Sequence, residues 1–211
     1  SYYGYCKDLC QGSAALYNRA NFIVRQYATA IASFDSLKPL YDKQMDVFRL
    51  VTDILGGTRY LNGSKWLSYG ALDRVLKVSK DKAYYGLPAQ ANQQVLKLLE
   101  RRYRSFFEAV KVYKNNPASF TGRPHLPGYV KDNGLKTVIL TNQICIIKDK
   151  KYLKFPQVKT RLNLGIDIVS EILKEVRIRP SCGRFIIDVV LEVEDTGIAP
   201  QEDRVILDEI A

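Results

Sequence analysis

The chain has 211 residues, 46% of them hydrophobic, enough for one large or two small globular cores, which excludes a disordered chain. No run approaches the roughly 18 consecutive apolar residues of a membrane span, and the opening SYYGYCKDLC lacks the basic flank and apolar stretch of a secretory signal, so a soluble cytoplasmic protein with no membrane partner is expected. The net charge of +10 is uneven: +2 over residues 1–73, +9 over 74–136, +6 over 137–185 and −7 over 186–211.

A basic middle with interleaved aromatic residues suits a polyanionic partner, although a merely solvated basic surface carries the same charge. From the N-terminus, Leu16, Ala20, Ile23, Tyr27, Ile31 and Phe34 recur at helical spacing and predict one apolar face. KQMDVFRLVTDIL predicts a second helix, stopped by Gly56 and Gly57. SYGALDRVLKVSK predicts a third, with Leu72, Val75 and Leu76 inward. The longest predicted helix is LPAQANQQVLKLLERRYRSFFEAVKVYKNN, where Pro88 suits the first turn and Val95, Leu98, Leu99, Phe106 and Val110 form the stripe expected to be buried.

Near Gly122 the texture changes. NNPASFTGRPHLPGY reads as a linker, and beyond it the hydrophobic period becomes two. LKTVILTNQ predicts a strand, QICIIKDKKYLKFP a hairpin around Lys148 to Lys151, and KEVRIRPSCGRFIIDVVLEVED a clearer hairpin turning at PSCG, with Phe185, Ile187, Val189, Leu191 and Val193 on one face. The expected class is α+β. Residues 1–122 are expected to form a helical bundle, and residues 123–211 a small β-barrel or curled sheet.

Several features test the chain for chemistry. GID at 165–167 resembles the first metal-binding carboxylate of an RNase H-like nuclease, but only 44 residues follow Asp167 and most form one hairpin. Further carboxylates to bind two metals about 4 Å apart have no room. Asp167 is therefore expected in the connection before the hairpin. Cys6, Cys10, Cys145 and Cys182 include no CxxC pair, and the single histidine, His125, stands among prolines in a loop, so neither a catalytic residue nor a metal site is assigned.

Nucleic-acid contacts have better candidates. Lys97, Arg101, Arg104, Lys111 and Lys114 fall near one face of the longest helix, opposite the apolar stripe, as a phosphate-tracking row or a solvent face. Gln90, Asn92, Gln93 and Gln94 at its start, with Thr141, Asn142 and Gln143 on the first strand, carry donor and acceptor groups suited to base edges, or serve helix-start solvation and turn formation. Tyr129, between Arg123 and Lys131 in the linker, is a candidate stacking or phosphate contact, whereas Tyr27, Phe106 and Phe107 are expected in the core. Lys148, Lys150, Lys151 and Lys154 could grip RNA or keep an edge strand soluble.

LYNRANFIVRQ, SKWLSYGALDRVLK, the long stretch from LPAQANQQVLKLLERRYRSFF to LKTVILTNQ, and EVRIRPSCGRFIIDVVLEVE resemble, in that order, the N-terminal half of the transposon-encoded TnpB or OrfB proteins. These RNA-guided DNA endonucleases of insertion sequences are similar to the ancestors of type V CRISPR effectors. The resemblance covers nearly the whole chain and rests on the ordered set. It implies a helical recognition lobe and a β-barrel wedge domain of OB-like character, which together bind a guide RNA and target DNA beside a short adjacent motif. It also implies that a RuvC nuclease domain using Mg²⁺ follows, in the same chain or a partner chain, beyond Ala211. A chain starting at Ser1 and ending on RVILDEIA is thus expected to be part of something longer, non-catalytic by itself. The family's wedge strand before the first recognition helix has no counterpart here, so the barrel need not be complete. A nuclease-free nucleic-acid-binding regulator and a helical protein-interaction domain are the alternatives.

Overall fold

A computed structural model of the chain describes residues 2–36, 38–56, 66–131, 133–192 and 205–207. Helices come first and strands after: α1 (Tyr2–Asp35), α2 (Asp42–Leu55), α3 (Tyr69–Val78), α4 (Lys82–Tyr85) and α5 (Ala89–Asn115) precede β1 (Val138–Thr141), β2 (Ile146–Lys148), β3 (Tyr152–Lys154), β4 (Arg161–Asn163), β5 (Leu173–Ser181), β6 (Arg184–Leu191) and β7 (Val205–Leu207). Among the described residues no helix is long and apolar enough to cross a membrane. The chain gathers into two compact units, one from Ser1–Ala14, Leu87–Gln94 and Asn133–Ala211, the other from Ala15–Gly86 and Val95–Asp132. The expected division at Gly122 falls within the connection between α5 and β1, whereas the compact units each take part of α1 and part of α5.

In the first unit the strands form two antiparallel sheets, ordered β1-β5-β6-β7 and β2-β3-β4. The expected barrel is not closed. Strands β2, β3 and β4 have three residues each and pair only among themselves, so no ladder joins the sheets among the described residues. The large sheet turns one face inward: Val138, Leu140, Val176, Ile178, Phe185 and Ile187 are all buried, at alternate positions in register. Val189 and Leu191 are only half-buried, and Val193 lies outside the described residues.

The start of α1 supplies this unit's other wall. Tyr3 meets Phe185 edge-on at 5.2 Å, and Tyr2 and Tyr5 both contact Phe155, just past β3. Tyr5 Oη donates to the Pro156 carbonyl at 2.9 Å, Ser13 Oγ to the Thr137 carbonyl at 3.1 Å, and the Lys136 amide to the Cys10 carbonyl at 3.1 Å. Cys6, Cys10 and Cys145 are fully buried in the same unit.

The second unit is helical. Leu16, Ala20, Ile23 and Tyr27 of α1 are buried as their spacing requires, with Val47, Val51 and Leu55 of α2, and Leu72, Val75 and Leu76 of α3. Phe34, expected inward, is 45% exposed, although its ring meets Phe48 at 4.9 Å. The helix ends follow local chemistry. Gly56 stops α2 at φ 71°, Ser68 Oγ accepts from the Ala71 amide to cap α3, and Asp81 accepts from the Ala83 amide while pairing with Arg19 at 2.7 Å.

Candidate nucleic-acid interface

Helix α5 is two-sided. Val95, Leu96, Leu99 and Tyr103 are buried, whereas Lys97, Arg101, Arg104, Lys111 and Lys114 are all exposed. At about 100° per residue, the first four share a face and Lys114 drifts about a quarter-turn away. The acids do not neutralise this face evenly. Glu100 accepts the Tyr69 amide at 3.1 Å at the start of α3, and Glu108 pairs with Lys111 at 2.8 Å. Among the described residues no carboxylate comes within salt-bridge distance of Lys97, Arg101, Arg104 or Lys114, and Lys97 sits over the Tyr69 ring at 5.3 Å.

The expected buried stripe of α5 needs correction: Leu98, Phe106 and Val110 are half-buried, and Leu96 and Tyr103 take the interior instead; Phe107, separately expected in the core, is also half-buried. Phe107 belongs to an aromatic group with Trp66 at 4.6 Å.

The linker is built against α1 by polar side chains that an apolar pattern does not register. Asn18 grips Val130 at both ends, Nδ2 donating to its carbonyl and Oδ1 accepting from its amide, each at 2.8 Å. Asn21 Nδ2 donates to the Pro127 and Gly128 carbonyls, and its Oδ1 accepts from the Tyr103 hydroxyl at 2.6 Å. Arg25 donates to the Pro127 carbonyl and lays its guanidinium 4.8 Å from the Tyr129 ring centroid. Burial pushes the Tyr103 phenol up to about 12, against the opposing pull of Arg25. Positions 18, 21 and 25 are spaced three and four apart, so NRANFIVR carried the signal as a polar row beside the apolar face of the helix. Residues 123–131 thereby become a fixed strap, exposing Arg123, Tyr129 and Lys131.

The candidates for base reading separate. Asn92 is 2% exposed, and its Nδ2 reaches the Leu87 carbonyl at 3.5 Å, so it is an interior residue and cannot meet a base edge in this arrangement. Gln90, Gln93 and Gln94 are half-buried, Thr141 is half-buried, and Asn142 and Gln143 are exposed in the turn after β1. That turn is closed by the Ile144 and Cys145 amides donating to the Thr141 carbonyl, both at 3.0 Å. In the β2–β3 hairpin Lys148, Lys150 and Lys154 are exposed with no carboxylate in salt-bridge range among the described residues, whereas Lys151 faces Asp167 at 3.5 Å.

Asp167 lies exposed in the connection between β4 and β5. Among the described residues no three His, Cys, Asp or Glu side chains group so as to hold a metal ion; the Mg²⁺ that the family resemblance implies is expected of a nuclease domain outside these residues. Burial raises the Cys6 thiol to about 11 and those of Cys10 and Cys145 to about 12, so these are protonated packing groups rather than nucleophiles. Comparison with protein-family models, curated proteins and solved structures finds no match.

Proposed function

We propose that this chain is the guide-RNA-binding and target-DNA-binding portion of a TnpB-type RNA-guided DNA endonuclease, acting in the cytoplasm, with cleavage supplied by a RuvC domain outside these residues. The observation that supports it most is the α5 surface, where Lys97, Arg101 and Arg104 stand exposed on one face while Glu100 is committed to α3. A row of cations without matching acids holds a phosphate backbone through charge and counterion release, whatever the sequence. Arg123 and Lys131 on the strap are further exposed cations of the same compact unit, and Lys148, Lys150 and Lys154 are exposed cations on the hairpin of the other unit. In this reading the two sheets are the incomplete wedge-like, OB-like barrel, and Gln93, Gln94, Asn142 and Gln143 are the surface groups left to read an adjacent motif.

The test is salt dependence. Replacing Lys97, Arg101 and Arg104 together by Gln should weaken binding to structured RNA and flatten the plot of log affinity against log salt by about 0.7 to 0.9 per lost contact. A folded triple variant with wild-type affinity and slope would remove the polyanion site from α5 and favour a helical protein-interaction domain.

A further inference from the structure

Beside α5 the strap leaves an open groove of about 540 Å³, lined by Leu98, Arg101, Arg102, Ser105, Phe106 and His125 together with proline rings of the strap. That volume falls within the roughly 300–1,000 Å³ typical of small-ligand sites. Its lining combines two chemistries. Leu98, the prolines and the half-buried Phe106 ring make an apolar floor, whereas Arg101, Arg102, Ser105 and His125 supply polar groups. The groove is held from behind: Arg102 Nη1 donates to the Tyr17 hydroxyl at 3.0 Å with its guanidinium 5.3 Å from that ring, and the Pro127 carbonyl is pinned by Asn21 and Arg25. His125 is exposed, and among the described residues no hydrogen bond or ion pair engages its imidazole.

A duplex backbone needs cations but gains nothing from an apolar floor. A flat heteroaromatic ring carrying a phosphate uses both, because the ring stacks on aromatic faces while the anion meets a guanidinium. We propose that the groove between α5 and the strap receives one unstacked base of a single-stranded nucleic acid, the base against Phe106 and His125 and its phosphate at Arg101. The inference rests on the nucleic-acid-binding reading of α5 and specifies that strandedness is sensed here.

The experiment measures fluorescence anisotropy of the full chain with three labelled probes: a short single-stranded polyuridine RNA, an abasic strand of equal length, and a duplex of that length. His125→Ala and Phe106→Leu should each weaken binding to the base-bearing single strand by about 5- to 100-fold, the range that one base–aromatic stack supports. Affinity for the abasic strand and the duplex, and the salt slope, should stay at wild-type values. Since His125 is exposed, its variant tests the groove with little burden on the fold, and a thermal melt checks this. Undiminished binding of the base-bearing strand by both variants overturns the proposal, as does equal loss on all three probes. If the wild-type chain binds none of the probes, the nucleic-acid reading itself fails and takes the groove with it; wild-type binding with insensitive variants removes the groove alone.

Discussion

Asn21 is fully buried, and both ends of its amide are engaged: Nδ2 by two strap carbonyls and Oδ1 by the Tyr103 hydroxyl. A buried amide is tolerated only when its polar atoms find partners, and removing it orphans the groups it served. Asn21→Ala is therefore expected to cost about 2–4 kcal/mol in urea unfolding, because it leaves the Pro127 carbonyl relying on Arg25 and the Tyr103 hydroxyl without an acceptor. Tyr103→Phe should cost less. The double variant should cost less than the sum of the two, since the second change removes a group the first has already stranded. A loss below about 0.5 kcal/mol for Asn21→Ala would show that the strap does not depend on this clamp. Asn92 makes the complementary point. Its side-chain chemistry suits adenine on paper, yet on the inner side of α5 it is buried and out of reach of a base edge in this arrangement.

Among the elements, the β5–β6 hairpin shows how turn chemistry sets register. Ser181 pairs with Arg184 across a two-residue loop, and Cys182 and Gly183 both have positive φ, 47° and 80°, the pattern of a type I′ turn. A Cβ added at Gly183 would meet nothing within 4 Å, so Gly183→Ala isolates the backbone cost, expected at about 1–2 kcal/mol. Asn at position 182 tolerates the left-handed region better than Cys, so Cys182→Asn should stabilise by up to ~1 kcal/mol. Chemical denaturation of both variants measures this, and a neutral Gly183→Ala would contradict the turn assignment. This hairpin was legible because the alternation of Val176 and Ile178 with Arg177 and Arg179 and the PSCG turn agree with each other. β4 was not legible, since three residues in KTRLNLG carry too short a period. Nor was the first third of α1: Tyr2, Tyr3 and Tyr5 cluster instead of alternating, and become intelligible only against Phe155 and Phe185.

For the whole molecule, the buried thiols make alkaline stability a test of the fold. Cys6, Cys10 and Cys145 keep their protons in the folded state up to about 11, 12 and 12, against an ordinary value of 9.0. Between pH 9 and 11 the unfolded chain releases these protons while the folded chain retains them, so the unfolded state binds fewer and stability falls as pH rises. The contribution is fully present below pH 9. Each thiol should remove about 1.4 kcal/mol per pH unit once its unfolded form has titrated, a slope that urea unfolding at stepped pH resolves. Unchanged stability from pH 8 to 10 would mean that these thiols reach solvent.

Hydrophobic period and turn residues, which are local, were sufficient for the order of helices before strands, the inward face of α1 from Leu16 to Tyr27 and that of α3, the main hairpin and the basic side of α5. Asp167 was expected in the connection before the main hairpin, and it lies there, between β4 and β5. Long-range pairing was not available to local patterns. The division of the strands into two open sheets depends on which edges meet, and the burial of Asn92 on which side of α5 faces the interior. Only the tertiary structure turned the proline-rich linker into a strap, because Asn18, Asn21 and Arg25 find their partners more than a hundred residues away, at a separation no sequence period spans.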